Sequence, residues 1–149
     1  MSDLRELYQE VILDHNHRPR NQGELPDANA VAEGHNPLCG DQLTLYLKVE
    51  DGKIADIRFQ GCGCAISTAS ASLMTEAVKG KSVEEVREIF QRFHALVTGE
   101  AEGQEFFDEF DSLMALAGVK EFPVRVKCAT LAWHTLQQAL EGGGVASTE

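Results

Sequence analysis

Two neighbouring amphipathic strands joined by a tight turn constrain the fold of this 149-residue chain more than any other feature. In LTLYLKVE (43–50), leucine or valine alternates with more polar residues, which is typical of a strand with one buried face. Asp51-Gly52 follows, a pair that tolerates the positive φ of a two-residue hairpin turn. Because KIADIRFQ (53–60) then returns with its own apolar face, the sequence predicts an antiparallel hairpin.

Most of the remaining chain has a helical pattern. The segment 29–35 (NAVAEGH) can add a third strand before the hairpin. Apolar spacing, a capping box at Ser82 and an early proline at Pro123 predict helices over 2–14, 65–80, 82–99, 104–117 and 123–141. Strands followed by helices predict an α+β fold, a small antiparallel β-sheet of about three strands with helices packed on one face. We expect a single domain over 1–141 and a flexible C-terminal tail over 142–149.

The charge balance narrows the classes of partner. Thirteen Lys and Arg against 24 Asp and Glu give a net charge of −11, so we expect no nucleic acid as a main partner. No apolar run is long enough for a transmembrane helix, so we expect no membrane partner. The acidic, amphipathic start of the chain does not resemble a signal peptide, and we expect a cytoplasmic protein.

The four cysteines, Cys39, Cys62, Cys64 and Cys128, are the main candidates for chemistry. Because cytosolic thiols are kept reduced, metal ligation or catalysis is a better starting point than disulfides, although a free cysteine can also be a small buried residue. Cys39 shares the loop NPLCGD with Asp41, and residues two apart in an extended chain point the same way.

Two of the other cysteines fall at or near helix starts. Cys64 lies at the entry to a helix, where the N-terminus stabilises a thiolate, and Cys128 lies in the second turn of the last helix. Three thiolates and a carboxylate satisfy tetrahedral zinc. Because an Asp ligand is harder and easier to displace than a thiolate, such a site suits a centre that must open. A freed thiolate could then accept sulfur or an iron–sulfur cluster.

The cysteine motifs also resemble a known family. NPLCGD, GCAIS followed by TASASLM, RVKCATLAWHTL and the early DHNHRPRNQG are similar to the U-type iron–sulfur cluster assembly proteins, the IscU/NifU-N-like family. Lys127 stands where the IscU branch typically has a histidine before its last cysteine, and the stretch 85–117 looks longer than in that branch. Both departures resemble the SufU branch.

This resemblance implies a ligand set and a role. Zinc would be held by Cys39, Asp41, Cys64 and Cys128. Cys39 would accept persulfide sulfur from a pyridoxal-phosphate cysteine desulfurase of the SufS type and pass it to a downstream Fe–S scaffold. The alternative in the same family is a scaffold that builds a [2Fe–2S] cluster, or binds iron, on the same ligands. A structural zinc module without chemistry is a third alternative.

Several residues stay open between roles. Arg125 and Lys127 flank the expected site, either as a solvated helix face or as a docking site for the desulfurase. Cys62 could be an extra ligand that displaces Asp41, a reserve sulfur acceptor or a small residue at a strand end, and we favour the last. His15 and His17 are expected at the surface or against a partner rather than in a second metal site.

Overall fold

The hairpin forms the centre of the fold in the computed structural model, which describes residues 2–37, 40–98, 116, 119, 122–142 and 144–147. Strands β2 (Asp41–Glu50) and β3 (Lys53–Cys62) pair antiparallel. Asp51 and Gly52 turn between them with φ values of 54° and 75°, as the two-residue turn requires. The predicted hairpin is confirmed, and each strand is two residues longer than the pattern indicated.

Within the residues that the structure describes, two further strands extend the sheet to the order β3-β2-β1-β4. Strand β1 (Ala30–Asn36) pairs antiparallel with β2, as expected, whereas β4 (Gly144–Ser147) pairs parallel with β1. The flexible tail expected over 142–149 is therefore wrong for Gly144–Ser147. Without β4, β1 would be an edge strand with unpaired backbone groups. The pairing of β4 uses main-chain groups only, so no side-chain pattern in the sequence predicted it. The domain boundary at residue 141 stays a prediction.

In the described part of the chain, four α-helices follow the expected order, and a local signal marks the start of the third. They are α1 (Ser2–His17), α2 (Ala65–Val78), α3 (Val83–Thr98) and α4 (Pro123–Leu140). Ser82 Oγ accepts a hydrogen bond from the Glu85 backbone N–H at 3.1 Å, while the Glu85 carboxylate accepts one from the Ser82 N–H at 3.4 Å. This reciprocal pair is the capping box. The acidic helix expected over 104–117 falls outside the described residues apart from Leu116.

The helices pack on one face of the sheet, and this arrangement confirms the predicted α+β class. Side chains that alternate along β2 and β3 face the helices, and Phe93 of α3 stacks on Trp133 of α4 at 4.5 Å between ring centroids. Burial of each large apolar side chain contributes roughly 1.5–3 kcal/mol. The largest fully buried side chains are Trp133, Phe93, Leu45, Leu47, Ile54, Ile57, Met74, Leu116, Leu131, Leu136 and Val78.

Across the described ranges, no helix is both long and apolar enough to cross a lipid bilayer. The sheet face away from the helices carries the more polar set of the alternating side chains, and it is partly exposed. The hydrophobic core therefore lies between the sheet and the helices. The end of the sheet where β1 ends and β2 begins also brings the start of α2 and the second turn of α4 together.

Candidate metal centre

Three side chains from three different elements converge at this end of the sheet. Asp41 begins β2, Cys64 precedes α2, and Cys128 lies in α4. One potential ligand atom from each lies within 4.8 Å of the others. A tetrahedral ion with Zn–S bonds near 2.3 Å holds its sulfur ligands about 3.8 Å apart, so small side-chain movements suffice to close the cluster on a metal.

The Asp41 carboxylate is fully buried and oriented by two donors. Its Oδ1 accepts a hydrogen bond from the Cys64 backbone N–H at 2.9 Å, and its Oδ2 accepts one from the Asn36 side-chain amide at 3.5 Å. Asn36 and Asp41 are directly paired across β1 and β2. The strand register therefore fixes the position of the carboxylate before any ligand binds.

Cys64 is the N-cap of α2, with an extended backbone at φ −71° and ψ 169°. Its Sγ accepts a hydrogen bond from the Ser67 backbone N–H at 3.4 Å. The start of α2 and this N–H therefore both face the Cys64 sulfur. Cys64 thus lies at a helix entry, as the sequence indicated.

Cys128 is completely buried in the second turn of α4. Pro123 occupies the first turn of this helix, where its missing N–H costs nothing. The Asn36 amide donates to Cys128 Sγ with an N–S distance of 3.7 Å. A buried thiolate needs such a donor or a cation to offset the loss of water.

Gly63 explains the single residue between the two cysteines of GCGC. A Cβ at this position would lie 2.6 Å from Asp41 Oδ1, which is closer than real Cβ contacts. Only glycine lets the chain pass this close to the carboxylate while the Cys64 N–H reaches it. The spacing of Cys62 and Cys64 therefore reflects a packing requirement at Asp41.

Cys62 does not join the cluster. It is exposed at the end of β3, opposite Gln42, and both line a shallow groove of about 470 Å³ on the sheet face away from the helices. Cys39 lies outside the described residues, so its role as a ligand stays a prediction. Arg125 is exposed and Lys127 is half-buried in the first turns of α4, on the same helix as Cys128.

Of the two placements expected for His15, the one at the surface is wrong, whereas His17 is exposed. His15 is buried between α1 and α2, with Nδ1 2.7 Å from Ser72 Oγ and Nε2 3.5 Å from the Glu76 carboxylate. Burial is the main cause that lowers the pKa of His15, followed by Arg20, while Glu76 and Asp14 act in the opposite direction. The turn-rich sequence around His15 concealed this role, because α1 continues three residues beyond the predicted end.

Two residues of the site, Asn36 and Gly63, have no signal in the sequence that points to their contacts. Asn36 stands in the cysteine motif NPLCGD, but an amide at a strand end is as compatible with a turn as with a buried hydrogen bond. Gly63 could equally have served only to bend the chain. Their roles depend on Asp41 and Cys128, which come from other parts of the chain.

The chemistry of the donors fits a divalent metal that accepts both sulfur and oxygen. Two thiols and a carboxylate within 4.8 Å repel one another once deprotonated, and a cation removes this repulsion. Thiolate ligands favour zinc and iron–sulfur chemistry over magnesium or calcium. Asp41, Cys64 and Cys128 therefore form a candidate metal site with three protein ligands.

The fold and this site define a class of protein. Residues 7–142 match the family described as the NifU-like N terminal domain, and the chain belongs to this family. The resemblance indicated by the cysteine motifs is thereby confirmed.

Relatives from three organisms agree with this assignment. The chain is 44% identical over 137 residues to the iron-sulfur cluster assembly scaffold protein IscU of Thermotoga maritima, covering 91% of this chain and 93% of the relative. It is 42% identical over 147 residues to the zinc-dependent sulfurtransferase SufU of Bacillus subtilis, covering 96% and 97%. A crystal structure of a putative scaffold protein for the SUF system from Fervidobacterium islandicum superposes with a TM-score of 0.82 at 35% identity, covering 91% of this chain and 98% of that one.

Proposed function

We propose that this protein is a zinc-dependent sulfur acceptor in iron–sulfur cluster biogenesis. It takes persulfide sulfur from a SufS-type cysteine desulfurase through Cys39 and delivers it to a downstream Fe–S scaffold. The observation that carries this proposal is the buried Asp41 carboxylate beside the Cys64 and Cys128 thiols. A carboxylate ligand is more easily displaced than a thiolate, which suits a centre that exchanges ligands. The similarity to the zinc-dependent sulfurtransferase supports the same choice.

Cys39 would complete the ligand set of Asp41, Cys64 and Cys128. It precedes Asp41 by two residues, so chain connectivity keeps it near the cluster. Bound zinc would keep the coordinating thiols deprotonated without redox chemistry of its own. We assign the acceptor role to Cys39 because Cys128 is buried within a helix and Cys64 is fixed as a helix cap.

The transfer is a thiol–persulfide exchange that balances without an oxidant. The Cys39 thiolate attacks the outer sulfur of the desulfurase persulfide, a new S–S bond forms, and the S–S bond on the desulfurase breaks. The proton of that persulfide goes to the departing desulfurase thiolate, and Cys39 keeps the sulfur as a persulfide. Because this chemistry needs free thiols, we propose that the protein works in the cytoplasm.

The start of α4 offers a docking surface for the desulfurase. Arg125 and Lys127 are two positive charges in a chain of net charge −11, and they lie one turn or less before Cys128. Phe122 and Val124 expose 59% and 52% of their surface beside them. This surface combines exposed apolar side chains with positive charges, and it adjoins the candidate site. Such a surface suits a partner protein that must reach the metal ligands.

Labelled sulfur tests the proposal directly. The purified protein, loaded with zinc and mixed with desulfurase and sulfur-labelled cysteine, should carry one zinc per chain and a labelled persulfide on Cys39, read by peptide mass spectrometry. Cys39→Ser should abolish labelling, while Cys62→Ser is the matched control and should leave it unchanged. Wild-type labelling of the Cys39→Ser variant would reject Cys39 as the acceptor.

A second function is favoured by the names of several relatives. Iron-sulfur cluster assembly scaffold proteins match this chain at 44% identity, and the same donors could hold a [2Fe–2S] cluster. Anaerobic reconstitution with iron and sulfide separates the two functions. A stable cluster that passes to an apo-protein at a physiological rate would favour the scaffold, whereas a transient cluster beside rapid sulfur acceptance favours our proposal.

A further inference from the structure

We propose that Asn36 is a positioning residue that links the carboxylate and the buried thiolate of the metal centre and weakens Cys128 as a nucleophile. The inference rests on the proposed metal binding by Asp41, Cys64 and Cys128, and it adds a residue that is not itself a ligand. Asn36 is the last residue of β1 and is completely buried.

The position of Asn36 allows its amide to reach two ligands at once. Its Nδ2 lies 3.5 Å from Asp41 Oδ2 and 3.7 Å from Cys128 Sγ. A side-chain amide nitrogen carries two hydrogens, so one can point to each acceptor. The amide therefore bridges a ligand at the start of β2 and a ligand 92 residues further along the chain from Asn36, in α4.

Each of the two contacts has its own consequence. Together with the Cys64 backbone N–H on Oδ1, the contact to Oδ2 presets the orientation of the Asp41 carboxylate. The N–H···S contact draws electron density from the Cys128 sulfur. A sulfur that already shares its lone pair with a donor attacks a persulfide less readily. Cys128 is thereby kept as a ligand, and the transferred sulfur is left for the proposed acceptor, Cys39.

A purely mechanical role is the competing explanation, because the same amide also ties β1 to α4. The two roles differ in what they do to the bonding of the metal. A purely structural contact between β1 and α4 would change only the stability of the protein and its affinity for the metal. An N–H···S hydrogen bond also changes the energy at which the coordinated sulfur transfers charge to a metal.

Cobalt(II) replaces zinc and gives a visible readout of this difference. In the Co²⁺-loaded protein without desulfurase, Asn36→Leu should shift the sulfur-to-cobalt charge-transfer band to longer wavelength, because the sulfur becomes richer in electrons. Chelator competition should show zinc binding that is about 10- to 100-fold weaker, the cost typical of outer-shell partners. Thr135→Val is the matched control, since it removes another buried polar group of the α4 interface away from the cluster.

A measurement on the wild type keeps the inference testable if Asn36→Leu does not fold. In protein loaded with ¹¹³Cd, scalar coupling across the N–H···S contact should appear between the metal and a side-chain amide proton of Asn36. Absence of this coupling, while coupling to the Cys128 β-protons is observed, overturns the inference. An unmoved cobalt band with an affinity loss equal to that of Thr135→Val does so as well. Failure of the wild type to bind cobalt, cadmium or zinc would instead reject the proposed metal site.

Discussion

Two groups of polar side chains, each with buried members, lie along α2, and they differ in how far their own neighbours satisfy them. At its start, Asp41, Cys64 and Cys128 approach within 4.8 Å. About two turns further on, His15 lies against Ser72 and Glu76. In the second group, Ser72 Oγ also accepts the Arg20 backbone N–H at 2.8 Å, and the Glu76 side chain is half exposed to water.

The difference shows that burial of polar side chains is not enough to identify a functional site. The His15 group is completed by its own neighbours, with a neutral imidazole between a hydroxyl and a solvated carboxylate. The group at Asp41 collects three side chains that all become negative when they lose a proton. Hydrogen bonds alone do not remove their mutual repulsion, so this group is the candidate cation site of the two.

The substitution Asp41→Ala should distinguish the two groups most clearly, because it has the largest expected effect on zinc affinity. We expect zinc binding to weaken by more than about 100-fold, since removal of outer-shell partners alone costs 10- to 100-fold. Acceptance of sulfur from the desulfurase should be lost with it. Chelator competition and a desulfurase assay measure the two effects. Asp56→Ala is the control, because Asp56 is a carboxylate paired with Lys79 at 3.3 Å, away from the cluster. Equal zinc affinity in both variants would contradict the assignment of Asp41.

Gly63→Ala tests whether the tight contact at Asp41 matters for the metal. The added Cβ would lie 2.6 Å from Asp41 Oδ1 and push the carboxylate out of line. We expect zinc affinity to fall about tenfold, equal to about 1.4 kcal/mol, with little change in the circular dichroism spectrum. Cys62→Ser, one residue earlier and exposed, should retain wild-type affinity. A Gly63→Ala variant that binds zinc as tightly as wild type would show that the carboxylate adjusts freely.

The comparison predicts the opposite behaviour for His15→Gln. Loss of the contacts to Ser72 and Glu76 should lower the free energy of unfolding by about 1 kcal/mol, while zinc affinity stays unchanged. Urea unfolding and chelator competition measure the two quantities. His17→Gln, on the exposed side of the same helix end, serves as the control. A loss of zinc affinity in His15→Gln would mean that the two groups are coupled through α2.

The smallest expected effect is on the pH dependence of stability. Because burial lowers the pKa of His15, the folded protein takes up this proton at lower pH than the unfolded chain does. Neutral His15 makes its full contribution to the free energy of unfolding above about pH 6.5. This contribution is lost as the pH falls through the lowered pKa of His15 in the folded protein. His15→Gln should therefore flatten the acid side of the stability profile, measured by urea unfolding at several pH values. A slope identical to that of His17→Gln would contradict this origin.

Local signals made much of the fold predictable. Alternation in β2 and β3, Asp51-Gly52 and the capping box at Ser82 each act over a few residues, and the structure follows them. The pairing of β4 with β1 was not predictable, because it joins main-chain groups that leave no side-chain pattern.

The candidate site was predictable to the extent that its residue types carry chemistry. Cysteines near helix starts and an aspartate in a cysteine loop pointed to metal, and the structure brings Asp41, Cys64 and Cys128 together. Asn36 was missed because its significance arises only when Cys128, 92 residues away, packs against it. An amide has no chemistry that marks it as part of a site before its neighbours are known.

The sulfur cap of α2 has a consequence for the evolution of this chain. Ser, Thr, Asp and Asn are the preferred N-cap residues, and cysteine is not among them. Cys64 therefore gives α2 a weaker start than a serine would, in exchange for a sulfur atom that a hydroxyl cannot replace as a soft ligand. Selection for thermal stability alone, in the absence of metal, would be expected to drift towards Ser or Asp at this position. A cysteine at this cap thus exchanges some stability of α2 for a sulfur atom placed beside Asp41 and Cys128.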